Sequence, residues 1–154
     1  MTTEKALQLI TAQCSRKEYC SNDILEKLRK WEIPEKESSQ IMEFLYKYKF
    51  IDDVRFACSY AEDKFRFNHW GKQKIAQMLH RKKIQAETIK QALQAIEPST
   101  YQEECKTLLE QKMRTLHETD PYKLKAKLLR FGAGRGYDFY TLNHCLSLLL
   151  TDNE

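Results

Sequence analysis

The chain has 154 residues, 42% of them hydrophobic and 31% charged, and its formal net charge of +4 makes it mildly basic. This balance excludes a disordered chain, and no run of residues approaches the roughly 20 apolar positions that a membrane-spanning helix needs. The first residues lack the apolar core of a signal peptide, so we expect a cytoplasmic protein without a membrane partner.

The first third of the sequence predicts three helices and the start of a fourth. Apolar residues recur at helical spacing, while the two-residue alternation of strands is nearly absent, which favours an all-α fold. A first helix is predicted from about Glu4 to Ser15, and a second follows Ser21, whose side chain suits an N-cap. Pro34 fits the first turn of a third helix, because the missing N–H of proline is not needed there. The carboxylates of Asp52 and Asp53 favour the start of a fourth.

The rest of the sequence repeats this plan after Gly71. A fifth helix is predicted before a break at 84–86, and a sixth helix is predicted to extend to Ile96. Ser99 and Gln102 form a predicted capping box for a seventh helix. Asp120 and Pro121 supply the N-cap and the first residue of an eighth. A ninth helix shows amphipathic spacing at Leu142, Cys145, Leu146 and Leu149.

A period of about 50 residues recurs along the chain, as in proteins built from repeated helical units. The matched apolar positions are Ile24, Leu28 and Ile33 in the first repeat and Ile75, Leu79 and Ile84 in the second. In the first repeat, either Ser38 takes the position of Ile89, or a longer turn places Ile41 there. We therefore predict an elongated, curved array of three three-helix, helix-turn-helix-like repeats, with boundaries at 1–50, 51–97 and 98–154.

No group of side chains in the sequence meets the requirements of a catalytic or metal site. Asp52 and Asp53 are neighbours at a helix start and do not converge on one point, as a catalytic pair must. Gly132, Gly134 and Gly136 follow no strand and precede no G-K-[ST] motif, so nucleotide binding is not indicated. The histidines and the five cysteines lack metal-ligand spacing, and we expect mostly reduced, partly buried thiols. The sequence therefore predicts a protein without enzymatic activity, metal or cofactor.

Positive charge is concentrated in two segments that contain no acidic residue, 64–86 and 123–137. Solvated helix faces usually mix both signs, so these segments favour a surface that binds phosphates or an acidic protein groove, over a merely solvated face. Phe67 is predicted to lie in the core, whereas Phe65 or Trp70 is a candidate for stacking on a partner. The predicted contact residues are Lys64, Arg66, Lys72, Lys74, Arg81, Lys82, Lys83, Lys123, Lys125, Lys127 and Arg130.

Residues 50–60 closely resemble the signature of a known family. They fit a pattern of two hydrophobic residues followed by D-D-x-R-F-A-x-x-Y, which is typical of RecX proteins. The signature residues are Asp52, Asp53, Arg55, Phe56, Ala57 and Tyr60. Similar agreement is found at 23–28, 71–84 and 127–137, so the resemblance covers nearly the whole chain.

Two positions depart from the family pattern. Lys83 stands where a K-G-I-like turn usually has glycine, and Gly132 stands where the third repeat normally has leucine. We therefore expect the third repeat to be less tightly packed or locally irregular. Most of the signature is expected to be structural, because its apolar members share one helical stripe, and Asp53 or Arg55 is expected to form a pair at the junction between repeats.

The resemblance implies a regulator of the RecA recombinase in DNA repair and the SOS response. Such a protein lies in the groove of the RecA nucleoprotein filament and inhibits strand exchange and ATP hydrolysis, with single- or double-stranded DNA as a second partner. No sustained heptad predicts a coiled-coil dimer, so we expect a monomer. Two alternatives stay open: a general DNA-binding module of tandem helix-turn-helix units, whose affinity for DNA falls with salt in the absence of RecA, and a purely structural helical adaptor.

Overall fold

The structure, a computed structural model, describes residues 1–151 and contains nine α-helices and no strand within that range. The helices are α1 (Thr3–Cys14), α2 (Ser21–Lys30), α3 (Glu35–Lys47), α4 (Asp53–Arg66), α5 (Lys72–Arg81), α6 (Ala86–Gln94), α7 (Pro98–Thr115), α8 (Pro121–Gly134) and α9 (Phe139–Thr151). The all-α prediction is confirmed. The predicted repeat boundaries at 50/51 and 97/98 stay predictions.

The chain divides into two compact units. The first unit comprises Met1–Tyr60 and Leu79–Ala92, and the second comprises Ala61–Met78 and the described residues from Leu93 onward. In the first unit, apolar stripes of α1, α2 and α3 face one another, and their fully buried side chains are Ile10, Ile24, Leu28 and Leu45. Each side chain of this size contributes roughly 1.5–3 kcal/mol when it leaves water, so this cluster holds the three helices together.

In the second unit, α7 packs against both α8 and α9. The buried residues on these helices include Cys105, Leu109, Leu128, Leu142 and Leu146. Three aromatic rings form a row beside them: the ring centroids of Phe65 and Tyr101 lie 5.8 Å apart, and those of Tyr101 and Tyr137 lie 5.0 Å apart. Such tilted contacts add to the burial energy of the rings and fix α7 against the flanking segments.

One turn recurs after α2, α5 and α8. A residue with a left-handed backbone lies two positions beyond the last residue of each helix: Glu32 with φ 56°, Lys83 with φ 61° and Gly136 with φ 96°. The next residue is buried and apolar, and its N–H donates to the carbonyl five residues earlier, as in Ile84 N–H to Leu79 O at 3.2 Å. This is the Schellman helix ending, in which a left-handed residue satisfies the last carbonyls of the helix. The predicted helical repeat is therefore confirmed at the level of local geometry.

The same turn decides between the two alternatives for the first repeat. In all three cases the following helix begins two residues after the buried apolar residue, at Glu35, Ala86 and Phe139. Ser38 therefore takes the position of Ile89, and the alternative with a longer turn is wrong. Ser38 is buried, and its hydroxyl donates to the carbonyl of Ile33 at 3.3 Å, so the polar side chain is satisfied.

Some predicted helix ends differ from the structure by one or more residues. Cys20, not Ser21, is the N-cap of α2, because the N–H and hydroxyl of Ser21 are bound to Asp53. Pro34 is the N-cap of α3 rather than part of its first turn.

The second half of the chain has two further differences. The sixth helix ends at Gln94, so Ile96 lies beyond it. The capping box at Ser99 is wrong, since Pro98 is the first residue of α7 and the hydroxyl of Ser99 donates to Glu97. The prediction at Asp120 is confirmed: its carboxylate accepts from the N–H of Tyr122, and Pro121 begins α8.

The predictions for the two phenylalanines near the end of α4 are wrong. Phe65 is 4% exposed and packs on Tyr101, whereas Phe67 is 76% exposed. The buried stripe of α4 follows Ala57, Ala61 and Phe65 at four-residue steps, and the helix ends at Arg66. Phe67 is therefore outside the helix whose periodicity suggested a core position.

Gly132 does not loosen the third repeat. It lies inside α8 and is buried, and a Cβ at this position would approach Cδ2 of Leu142 to 2.2 Å. The side chain of Leu142 thus fills the space that a leucine would otherwise occupy. The expected loose packing is absent at this position because a neighbouring helix supplies the missing volume.

Candidate binding surface

The signature residues at the start of α4 attach this helix to the segment before α2. Asp52 caps the helix, since its carboxylate accepts from the N–H groups of Val54 and Arg55. Asp53 accepts from the N–H of Ser21 at 2.8 Å and from its hydroxyl at 2.6 Å. These bonds satisfy backbone donors that two helix starts would otherwise leave without partners.

The guanidinium of Arg55 makes a second attachment. Its Nε lies 2.7 Å from a carboxylate oxygen of Glu18, and its Nη2 donates to the carbonyls of Lys49 and Phe50. Asp53 and Arg55 thus both hold other segments, as the sequence predicts for a junction. Phe56 and Ala57 are buried, and Tyr60 is half-buried, which agrees with a structural role for the signature.

Lys82, one of the predicted contact residues, is engaged within the first unit. Its ammonium lies 3.1 Å from a carboxylate oxygen of Asp23 and 5.6 Å from the ring centroid of Phe56. Burial opposes the charged ammonium, but the hydrogen bond and the charge of Asp23 outweigh it, so the pKa of Lys82 lies above its ordinary value. Burial also raises the pKa of the Cys20 thiol, which points at the carbonyl of Lys82, to about 11. We call Cys20, Ser21, Asp23, Asp53 and Lys82 the first junction.

The second unit contains an equivalent arrangement, made mainly by the backbone. The N–H of Gly71 donates to the carbonyl of Arg135 at 2.7 Å, and the N–H of Gln73 donates to the carbonyl of Gly136 at 3.0 Å. The hydroxyl of Tyr101 accepts from the N–H of Lys72 at 3.0 Å. We call Gly71, Lys72, Tyr101, Arg135 and Gly136 the second junction.

Aromatic rings hold several cations of the second unit in place. The ammonium groups of Lys64 and Lys74 lie 5.1 and 4.7 Å from the ring centroid of Trp70. A second ring, that of Phe131, has Lys112 at 5.0 Å and the guanidinium of Arg135 at 5.3 Å. A ring attracts a cation through its quadrupole and leaves the positive charge uncancelled. These side chains therefore present an ordered positive charge.

Ion pairs engage other cations. Arg55 pairs with Glu18, Arg66 with Glu62, Lys82 with Asp23 and Lys127 with Glu118. The hydrogen bond from Lys127 lowers the pKa of the Glu118 carboxyl. Arg66 and Glu62 are both largely exposed, and pairs of this kind contribute little to stability.

The structure distributes the predicted contact residues over both units. Arg81, Lys82 and Lys83 lie in the first unit, and the others in the second. On α8, Lys123, Lys127 and Arg130 follow one another at helical spacing and are exposed. Whether these residues contact a partner stays a prediction.

Two family models match the centre and most of the second half of the chain. A model described as the second three-helix domain of RecX matches residues 52–93, and one described as the third matches residues 99–146. A regulatory protein RecX of Vibrio parahaemolyticus is 30% identical over 94% of this chain and 88% of its own length. The chain belongs to the RecX family.

Other RecX proteins extend this similarity. The regulatory protein RecX of Clostridium acetobutylicum is 33% identical over 86% of this chain, which spans only 63% of that relative's length. The crystal structure of RecX from Lactobacillus salivarius superposes with a TM-score of 0.88 at 20% identity, covering 96% of each chain. A further RecX crystal structure gives a TM-score of 0.84 at 23% identity, over 93% of this chain and 72% of the other. These structures support the helical fold.

No set of histidine, cysteine, aspartate or glutamate side chains among residues 1–151 of this RecX-family chain is grouped to hold a metal ion. None of the described helices combines the length and apolar character needed to cross a bilayer. The thiols are free: Cys20, Cys105 and Cys145 are buried, Cys14 is half-buried and Cys58 is exposed. A hydrogen bond with Cys145, followed by burial, raises the pKa of Cys105, so this thiol is an inert core group.

Part of the cationic surface of this RecX chain lies outside the predicted contact set. Arg135 belongs to the basic segment 123–137 but not to the predicted contact residues. Phe131 precedes Arg135 by four residues, which is about one helical turn. That four-residue spacing is the available sequence signal for a ring–cation pair. Lys112 comes from a different helix, α7, and only the packing of α7 against α8 brings it to the ring.

Proposed function

We propose that this chain binds the RecA nucleoprotein filament and inhibits or modulates its recombinase and ATPase activities in DNA repair and the SOS response. The observation that carries the proposal is the similarity to a protein named regulatory protein RecX, which extends over 94% of this chain and 88% of that relative. The protein acts in this proposal by binding, with no catalytic step of its own. The RecA filament is the partner, and the mildly basic surface is the contact.

Some of the proposed contact residues form interactions within the protein, and these are weaker candidates for contact with a partner. Lys82 has an ion pair with Asp23, so its first role is to hold the first junction. Lys83 is exposed on the left-handed turn beside it. On α8, Lys123 and Arg130 are exposed, lie two helical turns apart and form no ion pair with a described carboxylate. Two separated cationic sets on one chain would contact a repetitive filament at several points and gain affinity by multivalency.

The test is the ATP hydrolysis of the cognate RecA on single-stranded DNA, measured as this protein is titrated in. The first variant combines Arg81→Ala with Lys83→Gly, because glycine removes the ammonium and suits the left-handed backbone. Lys82 is left unchanged, since its removal would disturb the first junction as well as the surface. The second variant combines Lys123→Ala with Arg130→Ala.

A matched control removes two other exposed lysines, Lys36 and Lys90, from α3 and α6. We expect inhibition by the unmodified protein and the control, and weaker inhibition by both test variants. If the unmodified protein leaves ATP hydrolysis unchanged while it still binds DNA in a salt-sensitive manner, the general DNA-binding module replaces this proposal.

A further inference from the structure

A cleft opens on the first unit at a position where the first repeat departs from the other two. Ser38 lies five residues after the buried residue of the shared turn, where the second and third repeats have Ile89 and Leu142. Its hydroxyl is bound to the carbonyl of Ile33, so it needs no further polar partner. Serine is smaller than isoleucine or leucine, so part of the volume that the other repeats fill is left open here.

This opening is large enough to take a side chain from another molecule. It has a volume of about 600 Å³ and is lined by residues of α2, α3 and the turn between them. Its apolar wall includes Leu25, Ile33 and Met42, with Ser38 among them. Sites of this volume with an apolar wall hold a large apolar group. We call this opening the Ser38 cleft.

The mouth of the Ser38 cleft carries more negative than positive charge. Its charged lining consists of Glu35, Glu43 and Arg29, and all three residues are exposed. Complementary charge at the edge of a contact steers the partner and fixes its orientation. The cleft therefore suits an apolar group that has positive charge beside it.

The second unit carries a ring with these properties. Phe67 is 76% exposed and follows the last residue of α4. The carbonyl of its neighbour Asn68 accepts from Nη1 of Arg135 at 3.2 Å, which orders this turn. From position 64 to position 74 the chain has four lysine and arginine residues and no acidic one. An apolar ring is thus held in solvent on an ordered, basic segment.

We propose that this protein associates with itself head to tail, with Phe67 of one copy in the Ser38 cleft of the next. The cations that flank Phe67 then lie near Glu35 and Glu43 of the neighbouring copy. A second copy is the occupant because the chain itself supplies both halves of the contact, the exposed ring with its cations and the apolar cleft with its carboxylates.

Such a contact joins two different surfaces and is therefore heterologous. Heterologous contacts add copies one after another, whereas a symmetric pair uses the same surface twice. The association involves no coiled coil, and the absence of a coiled-coil heptad is the basis of the expected monomer. It needs neither RecA nor DNA and goes beyond the proposed regulation of the filament.

The direct test is sedimentation velocity of the full chain over a wide range of protein concentration, without RecA and without nucleic acid. We expect the average mass to rise with concentration. Phe67→Ala should weaken the association about 30-fold, the loss typical of an anchor residue at the centre of an interface. The matched control is Tyr48→Ala, which removes another exposed ring, in the first unit, and should leave the association unchanged.

Ser38→Ile tests the other half of the contact. Isoleucine is the residue of the second repeat at this position, Ile89, so it should fill the cleft while the fold is retained. Far-UV circular dichroism and urea denaturation check the fold. We expect a loss of association similar to that of Phe67→Ala, whereas Ser38→Ala leaves the cleft open and should still associate. Glu43→Lys changes only the exposed mouth and should weaken the association without any change in the core.

A mixture of two variants separates this contact from any other. Phe67→Ala keeps the open cleft, and Ser38→Ile keeps the exposed ring. Each variant alone should stay monomeric at concentrations where the unmodified protein associates. Mixed in equal amounts, the two should form pairs but no longer species, because each pair has one intact contact and no second one to extend it.

Three outcomes would overturn the inference. An unmodified protein that stays monomeric at every concentration has no such contact. Association that both Phe67→Ala and Ser38→Ile retain, or that their mixture does not restore as pairs, uses other surfaces. A monomeric protein in which 2-phenylethylamine, an aromatic amine used as the probe, shifts the methyl NMR signals of Leu25 and Met42 has a cleft for a small molecule or another protein instead of a second copy.

Discussion

The first and second junctions connect equivalent helix starts and turns but use different chemistry. In the first, side chains make the contacts: Asp53 binds Ser21, and Lys82 binds Asp23. In the second, the backbone of Gly71 lies directly against that of Gly136 and Arg135, and a carboxylate is absent from the contact. A repeated architecture can therefore be joined either by charged side chains, which depend on pH, or by close backbone approach, which depends on the absence of a Cβ.

The largest effect is expected from one methyl group added to the second junction. In Gly71→Ala the new Cβ would lie 2.4 Å from backbone atoms of Gly136 and Tyr137, which cannot move as a flexible side chain can. We expect the free energy of unfolding, measured by urea denaturation with far-UV circular dichroism, to fall by about 3 kcal/mol.

The matched control for Gly71→Ala is Gly134→Ala. Gly134 ends α8, and an added Cβ would meet no heavy atom within 4 Å apart from its chain neighbours and the backbone of its own helix. Alanine there should raise stability by about 0.5–1 kcal/mol, because it lowers the conformational entropy of the unfolded chain. Equal effects of the two substitutions would mean that the close approach at Gly71 does not matter for stability.

Apolar periodicity and end signals predicted the all-α fold, the helical repeat and the burial of Phe56 and Ala57, because these depend on local spacing. They did not predict the positions of Phe65 and Phe67, since the end of α4 at Arg66 moves Phe67 out of the helical stripe. Nor did they predict that Leu142 fills the space beside Gly132, which depends on packing between two helices.

The candidate site was predictable only in part. The basic segments were visible as runs of lysine and arginine, and the family signature located the first junction. Which cations are engaged is decided by carboxylates outside the basic segments: Asp23, 59 residues from Lys82, and Glu118, nine residues before Lys127 on the segment that precedes α8. Such pairings follow from tertiary packing and leave no mark at a fixed sequence spacing.

A second comparison concerns the acceptor that each junction provides for a helix N-terminus. Asp53→Ala removes two hydrogen bonds to Ser21, and Tyr101→Phe removes the bond from the N–H of Lys72. Bonds to a charged group are stronger, so we expect losses in unfolding free energy of about 2 kcal/mol for Asp53→Ala and about 1 kcal/mol for Tyr101→Phe. A larger loss for Tyr101→Phe would show that the second junction, not the first, relies on its acceptor.

The ion pair of the first junction should also respond to pH. A double-mutant cycle with Lys82→Met and Asp23→Ala isolates its coupling energy, since the cap that Asp23 makes to Cys20 cancels in the cycle. Both side chains are partly exposed, so we expect a coupling of about 0.5–1 kcal/mol at neutral pH. The pKa of Lys82 is raised in the folded protein, so the contribution is complete below the ordinary value of 10.5 and is lost as the pH rises through the folded pKa.

The measurement for this cycle is urea denaturation of the four proteins at neutral pH and at a pH above the ordinary lysine pKa of 10.5. A coupling energy that persists undiminished at the higher pH would show that contacts of the lysine stem, such as that with Phe56, stabilise the junction in place of the charge.

The smallest expected change in unfolding free energy concerns the left-handed residue of the turn. This residue is Gly136 in the second junction and Lys83 next to the first junction. Lys83 has φ 61°, and this explains why a glycine is usual at its place in the family pattern. Relief of this conformation favours Lys83→Gly by about 1–2 kcal/mol, and the greater freedom of glycine in the unfolded chain offsets about 0.5–1 kcal/mol of that gain. We therefore expect Lys83→Gly to stabilise the protein by about 0.5 kcal/mol in urea denaturation. Glu32→Gly, at the equivalent turn with φ 56°, should behave in the same way, and a loss of stability in both would show that these side chains contribute more than their backbone strain removes.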